Sequence, residues 1–73
     1  MVYTIENNYS DDYPYSHTYT IFGTNDLEKA KKKFSECKEK CSLTKGKGTD
    51  EYILYQWEDE NSKIIDRCDN YDE

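Results

Sequence analysis

The stretch NDLEKAKKKFSECKEKCS, Asn25–Ser42, decides how the rest of this chain must be arranged. Its less polar residues are Leu27, Ala30, Phe34, Cys37 and Cys41. Their alternating spacing of three and four gathers them into one narrow stripe along an α-helix, with every lysine off it. Asn25, with Glu28 three residues on, has the form of a capping box. Asp26 and Glu28 set negative charge at the positive end of the helix dipole, and Lys38 and Lys40 complement the other end. Such a helix has one face to bury, and it needs a packing partner.

The flanking sequence supplies strands. Residues 1–7 (MVYTIEN) and 17–22 (HTYTIF) are rich in β-branched and aromatic side chains. Between them, residues 8–16 (NYSDDYPYS) read as an acidic, tyrosine-rich loop around Pro14. Gly23 ends the second strand just before the helix. Beyond the helix, Gly46 suits a left-handed stop. Residues 51–58 (EYILYQWE) form the strongest strand, with Tyr52 and Leu54 on one face and Ile53, Tyr55 and Trp57 on the other. A strand apolar on both sides sits centrally in a sheet, or in a sheet whose two faces are both covered. Residues 59–62 (DENS) are a polar turn, 63–68 (KIIDRC) close a hairpin, and 69–73 form an acidic tail expected to be mobile. The fold expected is α+β, in the order ββαββ. It is one domain over 1–73: a four-stranded antiparallel or mixed sheet with one amphipathic helix packed on one face.

A chain of 73 residues buries a small core, and 36% charged residues leans toward disorder. Eight tyrosines, two phenylalanines and a tryptophan pull back toward a folded domain. One helix covers one side of a sheet. Some of Tyr3, Tyr19, Tyr52 or Tyr55, and Trp57 must therefore line the other, unless the 8–16 loop folds over them. No apolar run approaches the ~20 residues of a membrane span, and Met1 leads directly into strand-like sequence without a leader. With an odd number of cysteines, three, the expectation is a cytoplasmic protein, in the host cytoplasm if viral. Nine lysines to one arginine fit an AT-rich coding sequence, such as that of a low-GC bacterium or its virus.

Charge is separated along the chain. Residues 25–47 hold eight lysines against Asp26, Glu28, Glu36 and Glu39, whereas residues 48–73 hold nine acids against Lys63 and Arg67. Acids interleaved with tyrosine offer a basic partner spaced anions and flat rings, much as a nucleic acid does. The same acidity also serves solubility alone. The residues singled out for partner contact are Tyr9, Asp11, Asp12, Tyr13 and Tyr15 in the loop and Glu58, Asp59 and Glu60 at the hairpin tip. Direct nucleic-acid binding by the lysine-rich helix is disfavoured, because it carries no arginine and the net charge is −6. Those lysines read as a solvated helix back supported by Glu28–Lys32 and Glu36–Lys40 pairs.

Catalytic chemistry has little to stand on. Cys37, Cys41, Cys68 and His17 are a conceivable zinc set, but the spacing matches no usual pair, and cysteines on the apolar stripe pack as small hydrophobes. A disulfide from Cys68 to the helix is geometrically open but unsuited to a reducing compartment. A lone His17 lacks the third group that cysteine catalysis needs, and the Lys45–Gly48 run is no phosphate loop. No enzyme, cofactor or metal is expected. The size, acidity and strand–helix–strand grammar are similar in style to small viral proteins that inhibit host enzymes or defence nucleases, a resemblance of type without shared motifs. The expectation is a stoichiometric inhibitor that occupies a basic, nucleic-acid-binding surface of a host or defence protein. The alternative is a structural or regulatory homodimer.

Overall fold

A computed structural model describes residues 1–10 and 16–71. The order is β1 (Val2–Ser10), β2 (Ser16–Thr24), α1 (Leu27–Leu43), β3 (Asp50–Glu58) and β4 (Asn61–Asp69). The strands form one four-stranded sheet in the order β2-β1-β3-β4, and every neighbouring pair is antiparallel. The expected ββαββ architecture is therefore present, and β3 is central, in keeping with its two apolar faces. Because β1 lies between β2 and β3, the connection through α1 crosses over β1 and lays the helix across one face.

That face is the core. Tyr3 and Ile5 of β1 and Tyr52 and Leu54 of β3 meet Ala30, Phe34, Cys37 and Cys41, with Phe22, Leu27 and Cys68 packed at the margin. Ile5 pairs with Leu54 on one side and Phe22 on the other, so three strands present apolar side chains at one level beneath the helix. Each edge strand also contains one extra residue. Ile21 in β2 and Ile65 in β4 fall at register shifts. Both turn toward α1: Ile21 borders Lys33, Cys37 and Lys40, and Ile65 borders Phe34, Ser35 and Lys38. A bulge sharpens local twist, so the two edges curl around the helix and let a single rod occupy the sheet's width.

Several boundaries move. The helix starts at Leu27, and its cap is Asp26 rather than Asn25. The Asp26 carboxylate accepts from Glu28 N at 3.0 Å and Lys29 N at 3.3 Å, while Asp26 N donates to Thr24 Oγ1 at 3.1 Å. The threonine bond holds Asp26 in the extended conformation a cap needs, which shifts the cap by one residue. Gly46 takes the left-handed conformation expected of it, with φ 79°. Asn8 to Ser10 belong to β1, not to the loop assigned over 8–16. Here pairing on both sides overrides asparagine's poor strand preference: Asn7 Nδ2 donates to Glu51 O at 3.2 Å and Asn8 Nδ2 to Glu51 Oε1 at 3.1 Å. The β3–β4 turn shrinks to Asp59 and Glu60, because Asn61 and Ser62 pair with Glu58 and Trp57.

The acidic tail is likewise shorter than expected. Asp69 ends β4, and Asn70 is 5% exposed, the one buried polar residue among those described. Its carboxamide accepts from Asp50 N at 2.8 Å and donates to Thr44 Oγ1 at 2.8 Å. Its carbonyl accepts from Gly46 N at 3.1 Å and Gly48 N at 3.4 Å. Asn70 thereby ties β4 to the α1–β3 connection, with Gly48 so close that a Cβ there would lie 2.7 Å from the Asn70 carboxamide carbon.

Candidate partner-binding surface

No helix among the described residues lies on the face of the sheet away from α1. Val2, Thr4, Tyr55, Trp57 and Ile64 lie on it by register, around a buried Ile53. Tyr3 and Tyr52 are instead in the core, and Tyr19 shares their side of the sheet but stands beyond the helix, half exposed. Of the rings that sequence offered to the open side, Tyr55 and Trp57 are the ones that reach it. Their centroids are 6.1 Å apart. Trp57 Nε1 donates to Thr4 Oγ1 at 2.8 Å, which satisfies the indole and fixes its ring on the surface. Burial, with Glu6 and Glu51 nearby, pushes the Tyr55 hydroxyl up, so it stays a neutral donor.

At the β3–β4 end this face runs into the acidic tip. Met1, Val2, Trp57, Glu58 and Asp59 line a shallow groove there. Met1 is 63% and Val2 50% exposed, so the groove is apolar on one wall and anionic on the other. Asp59 sits in the left-handed region at φ 56°, a conformation aspartate tolerates better than most residues. This geometry follows from pairing Val2 with Trp57, which brings the N-terminus beside the tip.

The remaining acids sort themselves by partner. Glu51 and Asp69 share Arg67, Asp69 also meets Lys45 at 3.5 Å, and Asp66 pairs with Lys38. Burial by itself would raise the Glu51 carboxyl. Hydrogen bonds from Arg67 and Asn8 and the Arg67 charge outweigh it and hold the group below the ordinary range. Glu58, Asp59 and Glu60 have no cation partner among the described residues. Glu6, Asp26, Glu28, Glu39 and Asp50 also form no ion pair among the described residues, so what sets the tip apart is three such acids in succession.

The other expected contact residues lie elsewhere. Tyr9 pairs with Asp50, seven residues along β1 from the Val2–Trp57 pair, which separates it from the tip by about 25 Å at the usual strand rise. Its ring stands 5.1 Å from His17 and 5.8 Å from Tyr19. Asp11, Asp12, Tyr13 and Tyr15 lie outside the described residues. The Glu28–Lys32 and Glu36–Lys40 pairs do not form. Glu36 instead meets Lys33 at 3.6 Å, and Lys40 leans over the Tyr52 ring, 5.9 Å from its centroid, where the Tyr52 hydroxyl holds its proton more firmly.

Among the described residues, no three His, Cys, Asp or Glu side chains converge as a metal site. His17 on β2 and Cys68 on β4 are three strand spacings apart, about 14 Å across the sheet, and two residues out of register as well. Cys37 and Cys41 are buried in the apolar stripe, as thiols packed in a core are. Burial, with the nearby Cys41, pushes the Cys68 thiol up to about 12. No helix among the described residues is long and apolar enough to cross a membrane. No protein-family model, curated protein or solved structure matches the chain.

Sequence reasoning named the tip acids and Trp57 but not Met1 and Val2. Their place depends on β1 lying beside β3, and no local pattern encodes that adjacency.

Proposed function

We propose that this domain is a non-catalytic protein-binding module that acts stoichiometrically, occupying a basic, nucleic-acid-handling surface of a host or defence protein, in the manner of a small viral inhibitor. One observation carries the reading: three consecutive carboxylates have no ion-pair partner among the described residues, and two of them, Glu58 and Asp59, line a groove with Met1, Val2 and Trp57, while Glu51, Asp66 and Asp69 are paired with Arg67, Lys45 and Lys38. Unpaired anions steer a cationic partner and set salt dependence, and the groove supplies the desolvated contact that holds it. Arginine suits both features, since it pairs with carboxylates and stacks on indole.

The test uses the full chain immobilised as bait in extract of the source cell. The control is a Glu58→Lys, Asp59→Asn, Glu60→Lys variant, in which asparagine preserves tolerance of the left-handed turn. Wild type should retain a protein that excess duplex DNA displaces and that high salt weakens, and the variant should not retain it. Equal retention by both chains, or retention indifferent to DNA, would remove the proposal.

A further inference from the structure

The third cysteine has a destination that the core packing does not require. Cys41, in the last turn of α1, and Cys68, near the end of β4, place their sulfurs 3.3 Å apart. Cys41 is buried and Cys68 only partly so. Two ion pairs flank them, Lys38 with Asp66 and Lys45 with Asp69. The helix, with the residues just past its end, and β4 therefore meet at three successive points, and the thiols occupy the middle one. Cys37, one turn earlier, borders the groove on the opposite side of α1 with Ile21 and Tyr52. A disulfide needs sulfurs about 2.04 Å apart, so closure asks each side to move by about half an ångström.

The geometry points to Cys41 and Cys68 as a redox modification site, which a low-molecular-weight disulfide converts into an intramolecular Cys41–Cys68 bond. Cys68, the more exposed residue of the two, first gives up its proton to the alkaline solvent, and the thiolate then attacks one sulfur of the small disulfide and displaces a thiolate. Cys41 then attacks the Cys68 sulfur of the mixed disulfide and displaces a second. The protein loses two electrons and two thiol protons, and the small disulfide leaves as two thiols. The bond staples the helix to the edge strand across the whole α1–β3–β4 connection, a loop that restricts the unfolded chain strongly. The site does not depend on the partner-binding reading.

The chain's own cleavage sites make the test clean. Trypsin separates all three cysteines, leaving Cys37 in residues 34–38, Cys41 in 41–45 and Cys68 in 68–73. Purified protein is incubated with excess glutathione disulfide in mildly alkaline buffer, then mapped without reduction. The expected product is a monomer lighter by two hydrogens, with 41–45 joined to 68–73 and Cys37 still open to alkylation. It should melt roughly 10–20 °C above the reduced chain, and dithiothreitol should reverse the change. Cys37→Ser should oxidise like wild type. A bridge that includes Cys37, a cross-linked dimer, a glutathione adduct that never closes, or an unchanged melting temperature would overturn the assignment.

Discussion

Asn70 shows how much of this fold rests on single polar side chains. Its carboxamide accepts from Asp50 N and donates to the Thr44 hydroxyl, beside the main-chain carbonyl that accepts from Gly46 N and Gly48 N. Removing the carboxamide leaves the part-buried Asp50 N–H without its acceptor, which costs more than the bond itself contributes. Asn70→Ala should lose about 2 kcal/mol, read as a fall in melting temperature of roughly 10 °C. Nothing local marks this residue, which sits in a polar run indistinguishable from a loose tail. Glu51 is a second case. Its proton is held less tightly in the folded chain than in the unfolded one, so its contribution is complete above the ordinary carboxylate value, about 4.5. That contribution disappears as acid titrates through the lower folded value. The urea midpoint should therefore fall between neutral pH and pH 3 in wild type. In Glu51→Gln it should fall less steeply, from a starting point roughly 1 kcal/mol lower.

At the scale of elements, periodicity located the helix and each strand, because the apolar stripe and the alternating faces are set by the sheet and helix repeat. The ends followed other rules. The helix start turned on the bond from Asp26 to Thr24, so Asp26→Ala should cost about 1 kcal/mol by urea unfolding, whereas Asn25→Ala should be nearly neutral. The early end expected for β1 reflected asparagine's intrinsic preference, which two flanking strands overrode. The bulges at Ile21 and Ile65 were also invisible, since an extra residue in an edge strand appears only once its neighbour is known. They have a second consequence: a bulged edge is a poor template for another strand. Sedimentation at micromolar concentration should accordingly find a monomer. A dimer would favour a role as a structural or regulatory homodimer.

For the whole molecule, strand order is what sequence withheld and what creates the surface. Once β1 lies between β2 and β3, one face takes the helix, and the other collects Thr4, Ile53, Tyr55 and Trp57. The same order carries Met1 and Val2 to the acidic tip. The segregation of lysine and acid along the chain was legible, but its meaning was not, because Glu51, Asp66 and Asp69 pair with Arg67, Lys45 and Lys38 once the chain folds. Three acids without an ion pair among the described residues follow one another at Glu58, Asp59 and Glu60, next to the single tryptophan. That neighbour makes the surface measurable. Titrating the DNA-displaceable partner into this domain while following Trp57 emission and acrylamide quenching reports on the groove directly. Occupation of the tip predicts a blue shift with loss of quenching at saturation, weakened by salt and absent from the Glu58→Lys, Asp59→Asn, Glu60→Lys variant. A saturated complex in which Trp57 emits and quenches as it does in the free protein would contradict it.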